Sequence, residues 1–236
     1  MLDLKDLYQQ RVSNHASNFI KVVLNPLELK YITDTANAIA RSKLSETAYK
    51  KDGASVVKRY INGLKGEAAV GKFLKMQIIN PDVGVSIDFD YPDIPGYGVG
   101  VKTVDFGHFP IIPKANKYPQ VICICHPTRA EIVYICGLAS VDTLNKYQHD
   151  DLILDPNLKA KGTKTGFWGF ASLETLSLTA IEPFKGMEIF KDPEDAVKVS
   201  RSKMPKKSKS KKADDEDDFE DLDEDEDEDE DEENED

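Results

Sequence analysis

A short stretch of the chain, residues 91–103 with the sequence YPDIPGYGVGVKT, carries side chains suited to phosphoryl chemistry. Asp93 precedes a turn that contains proline and glycine, and Lys102 follows on an alternating segment that predicts a strand. Such a turn would place an acid and a base side by side. Mg²⁺ prefers carboxylate oxygens, and a water that attacks a phosphodiester needs a cation or a base nearby. The stretch therefore predicts a site for metal-assisted phosphodiester hydrolysis.

The elements around this stretch predict a sheet. Residues 85–89 and 97–103 alternate between apolar and polar or small side chains, which predicts a hairpin around the turn at 92–96. Two further apolar runs, residues 121–125 and 132–136, are joined by a segment with a turn signal. Together they predict a small mixed sheet of at least four strands. The acids at the edge of the Lys102 face are Asp88, Asp90 and Asp93.

The first eighty residues predict helices. Asn25, Pro26 and Glu28 form a helix start with a cap residue, a proline at the first position and a glutamate at the third. A second helical stretch covers about residues 54–76, with Val57, Ile61, Leu64 and Ala68 as the expected buried stripe.

Glycines interrupt the second helical stretch, and each costs roughly 1 kcal/mol against alanine inside a helix. Gly63 and Gly71 lie one turn on either side of Glu67. This spacing predicts that another backbone or a ligand approaches the Glu67 carboxylate closely.

These residues together carry a family resemblance. The helical segment KGEAAVG at 65–71, then Pro92 and Asp93, then the segment GVKT at 100–103 resemble the PD-(D/E)XK nuclease superfamily over roughly residues 55–140. The resemblance implies a restriction-endonuclease-like α/β fold, with helices flanking the sheet, and a deoxyribonuclease that uses Mg²⁺ or Mn²⁺. It implies that Glu67 and Asp93 hold the metal and that Lys102 orients or activates water.

Gly100 departs from the family pattern, which has a carboxylate two residues before the lysine. Mg²⁺ keeps several waters and needs only one or two protein carboxylates, and Asp88 or Asp90 could supply a further oxygen. A catalytically inactive module that binds nucleic acid or a protein partner is the alternative interpretation. A third is an unrelated α/β protein, in which Glu67, Asp93 and Lys102 are ordinary surface and turn residues.

Residues 159–170 predict a loop that combines cations with aromatic rings. Lys159, Lys161 and Lys164 could contact phosphates, and Trp168 could stack on a base, as in single-strand grooves. The alternative is that the aromatic residues here belong to the core.

Charge divides the chain into three parts. The net charge is −12, but residues 213–236 hold 20 of the 43 acidic residues and no basic one. Residues 1–200 are almost neutral and predict one α/β domain, with helices in 1–80, the sheet in 81–140 and a loop-rich part in 141–200. Residues 201–212 predict a basic linker, and residues 213–236 predict a disordered acidic tail.

The acidic tail resembles those of bacteriophage single-stranded-DNA-binding and replication proteins. The resemblance implies a role in phage replication or recombination, with a tail that competes with DNA and recruits a replication or repair protein. Phe219 and Leu222 form a possible docking motif within it. A solubilising appendage is one alternative; a nuclear protein is another, because the lysines of 205–212 also suit a nuclear localisation signal.

The remaining sequence features favour a protein of the cytoplasm, for a phage protein that of the bacterial host. No apolar run is long enough to span a bilayer, so we expect no membrane partner, and the N-terminus lacks the layout of a signal peptide. Cys123, Cys125 and Cys136 lie in apolar surroundings and predict reduced core residues. A zinc site with His126 is the weaker interpretation, because strand alternation points His126 away from Cys123 and Cys125.

Overall fold

The structure, a computed structural model, describes residues 3–42, 53–78 and 92–187. The described residues all belong to the first of the two units into which the chain divides, residues 1–193; residues 194–236 lie outside them. The predicted strand at 85–89 with Asp88 and Asp90, the basic linker and the acidic tail therefore lie outside the described residues.

The described residues form a mixed α/β fold. The helices are α1 (Leu4–Arg11), α2 (Pro26–Ser42), α3 (Gly53–Leu74), α4 (Val141–Lys146), α5 (Pro156–Ala160) and α6 (Leu178–Ile181). The strands are β1 (Ile20–Val23), β2 (Gly100–Asp105), β3 (Ile111–Pro113), β4 (Gln120–Cys125), β5 (Ile132–Ala139), β6 (Gln148–His149) and β7 (Lys164–Phe167).

A four-stranded mixed sheet organises the fold, in the order β1-β5-β4-β2. β5 pairs antiparallel with both β1 and β4, and β4 and β5 are the two apolar runs joined by the predicted turn. β2 pairs parallel with β4, so that Gly100 lies opposite Gln120 and Lys102 opposite Ile122. The prediction of a small mixed sheet is thus confirmed, with three of the predicted strands, β2, β4 and β5, and with β1 as the fourth. The same unit also contains a smaller antiparallel sheet, in the order β3-β7-β6.

Both faces of the four-stranded sheet are covered by apolar side chains. On β4, Val121 and Cys123 belong to a core shared with α2 and α3, whereas Ile122 and Ile124 belong to a second core shared with α1 and β7. This division explains why β4 has an uninterrupted apolar sequence, since a strand buried on both faces needs no polar positions. All three cysteines are buried and free, as predicted.

The start of α2 has the predicted geometry. The side-chain oxygen of Asn25 accepts from the N–H of Glu28 at 2.9 Å, and the Glu28 carboxylate accepts from the N–H of Asn25 at 2.6 Å. This reciprocal pair is a capping box. Glu28 also accepts from Lys72 Nζ at 2.9 Å, which ties α2 to α3.

The structure differs from the sequence interpretation at two strands. Residues 20–23 form β1, not part of a helix, because Val22 packs into the core and the strand pairs with β5. Residues 164–167 form β7, not a loop, because the strand pairs with β3 and β6 and Phe167 is fully buried.

None of the helices that the structure describes has the length and apolar character needed to cross a membrane.

Candidate functional site

The candidate site begins with the close contact of α3 and β2. A Cβ atom at Gly66 would lie only 1.7 Å from the hydroxyl oxygen of Thr103, so this contact requires glycine. Further along, Asn62 Nδ2 donates to Asp105 Oδ1 at 3.0 Å and Lys58 Nζ lies 2.9 Å from Asp105 Oδ2. α3 therefore runs antiparallel to β2, and Glu67 lies toward the start of the strand.

The prediction of a close approach at the glycines on either side of Glu67 is wrong at Gly63, whereas at Gly71 a backbone group does lie close. A Cβ atom at Gly63 would meet nothing within 4 Å, and one at Gly71 would lie 2.7 Å from the backbone oxygen of Met76. Gly66 is the glycine that lets α3 approach the strand beside the candidate site.

Asp93 lies in the turn that precedes β2 and is fixed by the backbone. The N–H of Ile94 donates to the carbonyl of Val99 at 3.1 Å, which closes the turn. The Asp93 carboxylate then accepts from the N–H of Val101 at 2.5 Å. This bond holds one carboxylate oxygen at the start of the strand that carries Lys102.

Electrostatic interactions connect Asp93 with both other predicted site residues. Burial, and then the neighbouring charge of Asp93, raise the pKa of Glu67 to about 8. Burial also raises the pKa of Asp93 to about 6, although the N–H of Val101 and the charge of Lys102 oppose that shift. Two carboxyl groups therefore share a poorly solvated region, an arrangement that favours a bound cation.

The pKa of Lys102 is shifted in the opposite direction. Burial first, and then the cations of Lys164 and Arg59, lower its pKa to about 8, while the charge of Asp93 opposes this shift. Glu67, Asp93 and Lys102 each keep part of their surface accessible to solvent. A substrate phosphate could therefore reach this group of side chains.

Gly100 lies directly beside Asp93. A Cβ atom at position 100 would lie 3.4 Å from Asp93 Oδ2 and 2.8 Å from Cε2 of Tyr118. A side chain here would begin in contact with the carboxylate of Asp93 and would collide with the half-buried ring of Tyr118.

The four predicted nucleic-acid-binding residues have different surroundings. Lys164 is exposed at the start of β7 and acts electrostatically on Lys102. Lys161 is also exposed, whereas Lys159 Nζ lies 2.7 Å from Asp151 Oδ1. The Trp168 ring is half-buried, with the Arg11 guanidinium 4.6 Å from its centroid. Lys164 is thus the member of this set that the electrostatics connect with Lys102.

The described residues of this region offer few ligands to a divalent cation. Within residues 3–42, 53–78 and 92–187 no group of three or more His, Cys, Asp or Glu residues could hold a metal ion. Two neighbouring carboxylates remain, Glu67 and Asp93. They fit Mg²⁺ or Mn²⁺ that keeps several waters, since Mg²⁺ needs only one or two protein carboxylates.

Two residues of this region were missed by the sequence interpretation. Arg59 precedes Glu67 by eight residues, about two helical turns, so its position on the same side of α3 was readable from the helical period. Tyr118 lies eighteen residues after Gly100, and only the parallel pairing of β2 with β4 brings it to the site.

Searches of family models, of curated proteins and of solved structures find no match to this chain.

Proposed function

We propose that this protein is a Mg²⁺-dependent nuclease that hydrolyses phosphodiester bonds of DNA, with a site built as in the PD-(D/E)XK superfamily. The observation that carries the proposal is the electrostatic connection of Asp93 with Glu67 on one side and Lys102 on the other. Two carboxyl groups and one lysine, all largely buried yet accessible, suit the handling of a phosphate and its attacking water.

Each residue has a role in this proposal. Glu67 and Asp93 would hold the divalent cation, which when bound supplies positive charge to the phosphate oxygens. Lys102 positions the attacking water or donates a proton to the leaving oxygen. A pKa of about 8 suits such proton transfer, because it lies near neutral pH. Lys164 and Arg59 add positive charge that would attract the DNA backbone.

A nuclease assay on labelled single- and double-stranded DNA, with Mg²⁺ and with Mn²⁺, tests this proposal. We expect cleavage by the wild-type protein and at least about a hundredfold loss in Lys102→Ala, since proton transfer by a positioned side chain contributes 10²–10⁴-fold. Lys21→Ala is the matched control, because Lys21 is a strand lysine on β1, at the other edge of the sheet. Equal rates for Lys102→Ala and Lys21→Ala would contradict the assignment.

A nucleic-acid-binding module without catalysis is the second candidate. The observation that favours it is that, in the part of the chain that the structure describes, just two neighbouring carboxylates accompany the cations Lys102, Lys164 and Arg59. This candidate predicts DNA binding that persists in EDTA and weakens in Lys164→Ala, together with no cleavage in either metal. The assay above therefore separates the two candidates.

A further inference from the structure

The space beside Asp93 that a third carboxylate would fill is occupied by an aromatic ring. A Cβ atom at Gly100 would lie 3.4 Å from Asp93 Oδ2 and 2.8 Å from Cε2 of Tyr118. Contacts below 3.0 Å force one of the two groups to move. A glycine at position 100 and the ring of Tyr118 are therefore sterically complementary.

The backbone fixes this pairing. The N–H of Gly100 donates to the carbonyl of Pro119 at 3.0 Å, and Gly100 lies opposite Gln120 in the parallel ladder of β2 and β4. Tyr118 precedes a proline, which restricts its backbone to extended conformations. The strand pairing thus holds the backbone that follows Tyr118 directly against Gly100.

We propose that Gly100 and Tyr118 form a coupled pair in which the Tyr118 ring takes the place of a ligand at position 100, so that among the described residues Glu67 and Asp93 are the carboxylates that bind a divalent cation. This inference rests on the proposed function. It makes Gly100 a positioning residue for the ring, and it makes Tyr118 the residue that excludes a carboxylate at position 100.

A double-mutant cycle on the full-length protein tests the steric part. We expect Gly100→Ala to lower the thermal unfolding midpoint by about 3 to 10 °C in EDTA, as overpacking does in a domain of this size. The same change in a Tyr118→Ala background should have little effect, because the ring is gone. Tyr118→Phe is the matched control: it keeps the ring, so Gly100→Ala should remain destabilising. If Gly100→Ala lowers the midpoint equally in the wild-type, Tyr118→Ala and Tyr118→Phe backgrounds, the proposed coupling of Gly100 with Tyr118 is wrong.

Mn²⁺ binding, measured by titration calorimetry with the metal alone, tests the ligand part. We expect Gly100→Asp combined with Tyr118→Ala to bind Mn²⁺ at least about tenfold more tightly than Tyr118→Ala, since a third carboxylate adds a charged oxygen ligand. Gly100→Asp with the ring present should gain much less. Equal gains with and without the ring would overturn the inference.

The two readouts also separate this inference from the proposed function. The wild type could bind Mn²⁺ while the effect of Gly100→Ala on stability is independent of Tyr118. That result would contradict the proposed coupling of Gly100 with Tyr118 and leave the metal-dependent function intact. A coupled stability cycle with no Mn²⁺ binding in any variant would overturn the ligand role of the pair, and the metal-dependent function with it.

Discussion

At the residue scale, Asp93 combines a structural with a proposed chemical role. One carboxylate oxygen accepts from the N–H of Val101, and the same carboxylate interacts with Glu67 and Lys102. A substitution at this position therefore changes both the backbone at the start of β2 and the charge of the site. Variants must be chosen to separate these effects.

Comparison of Asp93→Asn with Asp93→Ala makes that separation. We expect both variants to lose cleavage, because neither supplies a charged oxygen. Asp93→Ala should also lose about 1 to 3 kcal/mol of stability, since the half-buried N–H of Val101 loses its acceptor. Asp93→Asn should lose less, because its amide oxygen can accept the same bond. Nuclease assays and urea unfolding provide the measurements; wild-type cleavage by Asp93→Asn would exclude a metal-ligand role.

The stability of the metal-free protein should fall as pH rises from about 4.5 to 8. The pKa values of Asp93 and Glu67 are raised in the folded state, to about 6 and about 8, so folding favours their protonated forms. The stabilisation is complete below the unfolded-state values near 4 and is lost as pH rises through the folded-state values. Unfolding midpoints in EDTA across this range provide the measurement.

Glu67→Gln is the matched variant for this pH dependence. It removes the ionisable group while retaining the shape, so the decline between pH 6 and 8 should become shallower. Mg²⁺ should stabilise the wild type more at pH 8 than at pH 5, because carboxylates bind metal in their deprotonated form. An unchanged pH profile in Glu67→Gln would show that another group titrates.

At the element scale, one residue determines how closely α3 approaches β2. A Cβ atom at Gly66 would collide with Thr103, whereas one at Gly63 would meet nothing within 4 Å, although both glycines lie inside the same helix. The two positions therefore separate the effect of close packing from that of helix propensity.

Gly66→Ala and Gly63→Ala should change stability in opposite directions. We expect Gly66→Ala to cost about 1 to 3 kcal/mol through overpacking, and Gly63→Ala to gain about 0.5 to 1 kcal/mol through helix propensity. Chemical unfolding of both variants provides the measurement. Because Glu67 follows Gly66, Gly66→Ala should also lower nuclease activity, while Gly63→Ala should not. A stable, active Gly66→Ala would show that α3 can shift without disturbing the site.

The sequence predicted elements whose signals are local. The capping residues of α2, the helical period of α3 and the turn between β4 and β5 lie within short windows, and the structure confirms these elements. β1 was missed because Ile20–Val23 is short and its strand character depends on pairing with β5, more than a hundred residues away.

The candidate site likewise was predictable only where its signals are local in the sequence. Asp93 and Lys102 were predicted because the turn and the strand are contiguous, and Glu67 was predicted because the family resemblance linked it to them. Two further contacts, Gly66 with Thr103 and Gly100 with Tyr118, depend on how the elements pack against each other. The spacing of residues in the sequence does not predict that packing.

At the scale of the whole molecule, charge is unevenly distributed along the chain. Residues 1–200 are almost neutral, residues 201–212 are basic, and residues 213–236 carry 20 acidic residues. The net charge of −12 would repel DNA at long range, while removal of residues 213–236 leaves a net charge of +8. The acidic segment therefore sets the sign of the charge of the protein.

Removal of residues 213–236 should strengthen DNA binding. We expect the truncated protein to bind DNA roughly tenfold more tightly at low salt, because its net positive charge favours contacts with phosphates and release of counterions. Affinities of the two proteins should converge as salt rises, since the screening length is about 8 Å at physiological ionic strength. Fluorescence anisotropy with labelled DNA over a salt series provides the measurement.

Two full-length variants distinguish charge from docking in this experiment. Replacement of the acidic residues of 213–236 by Asn and Gln keeps the length and removes the charge, so it should reproduce the effect of truncation. Phe219→Ala keeps the charge and removes a large apolar side chain, so DNA affinity should stay at the wild-type value. Equal DNA affinity of the full-length and truncated proteins at low salt would contradict a competing tail. Loss of a replication or repair partner in Phe219→Ala would then assign the segment to protein docking.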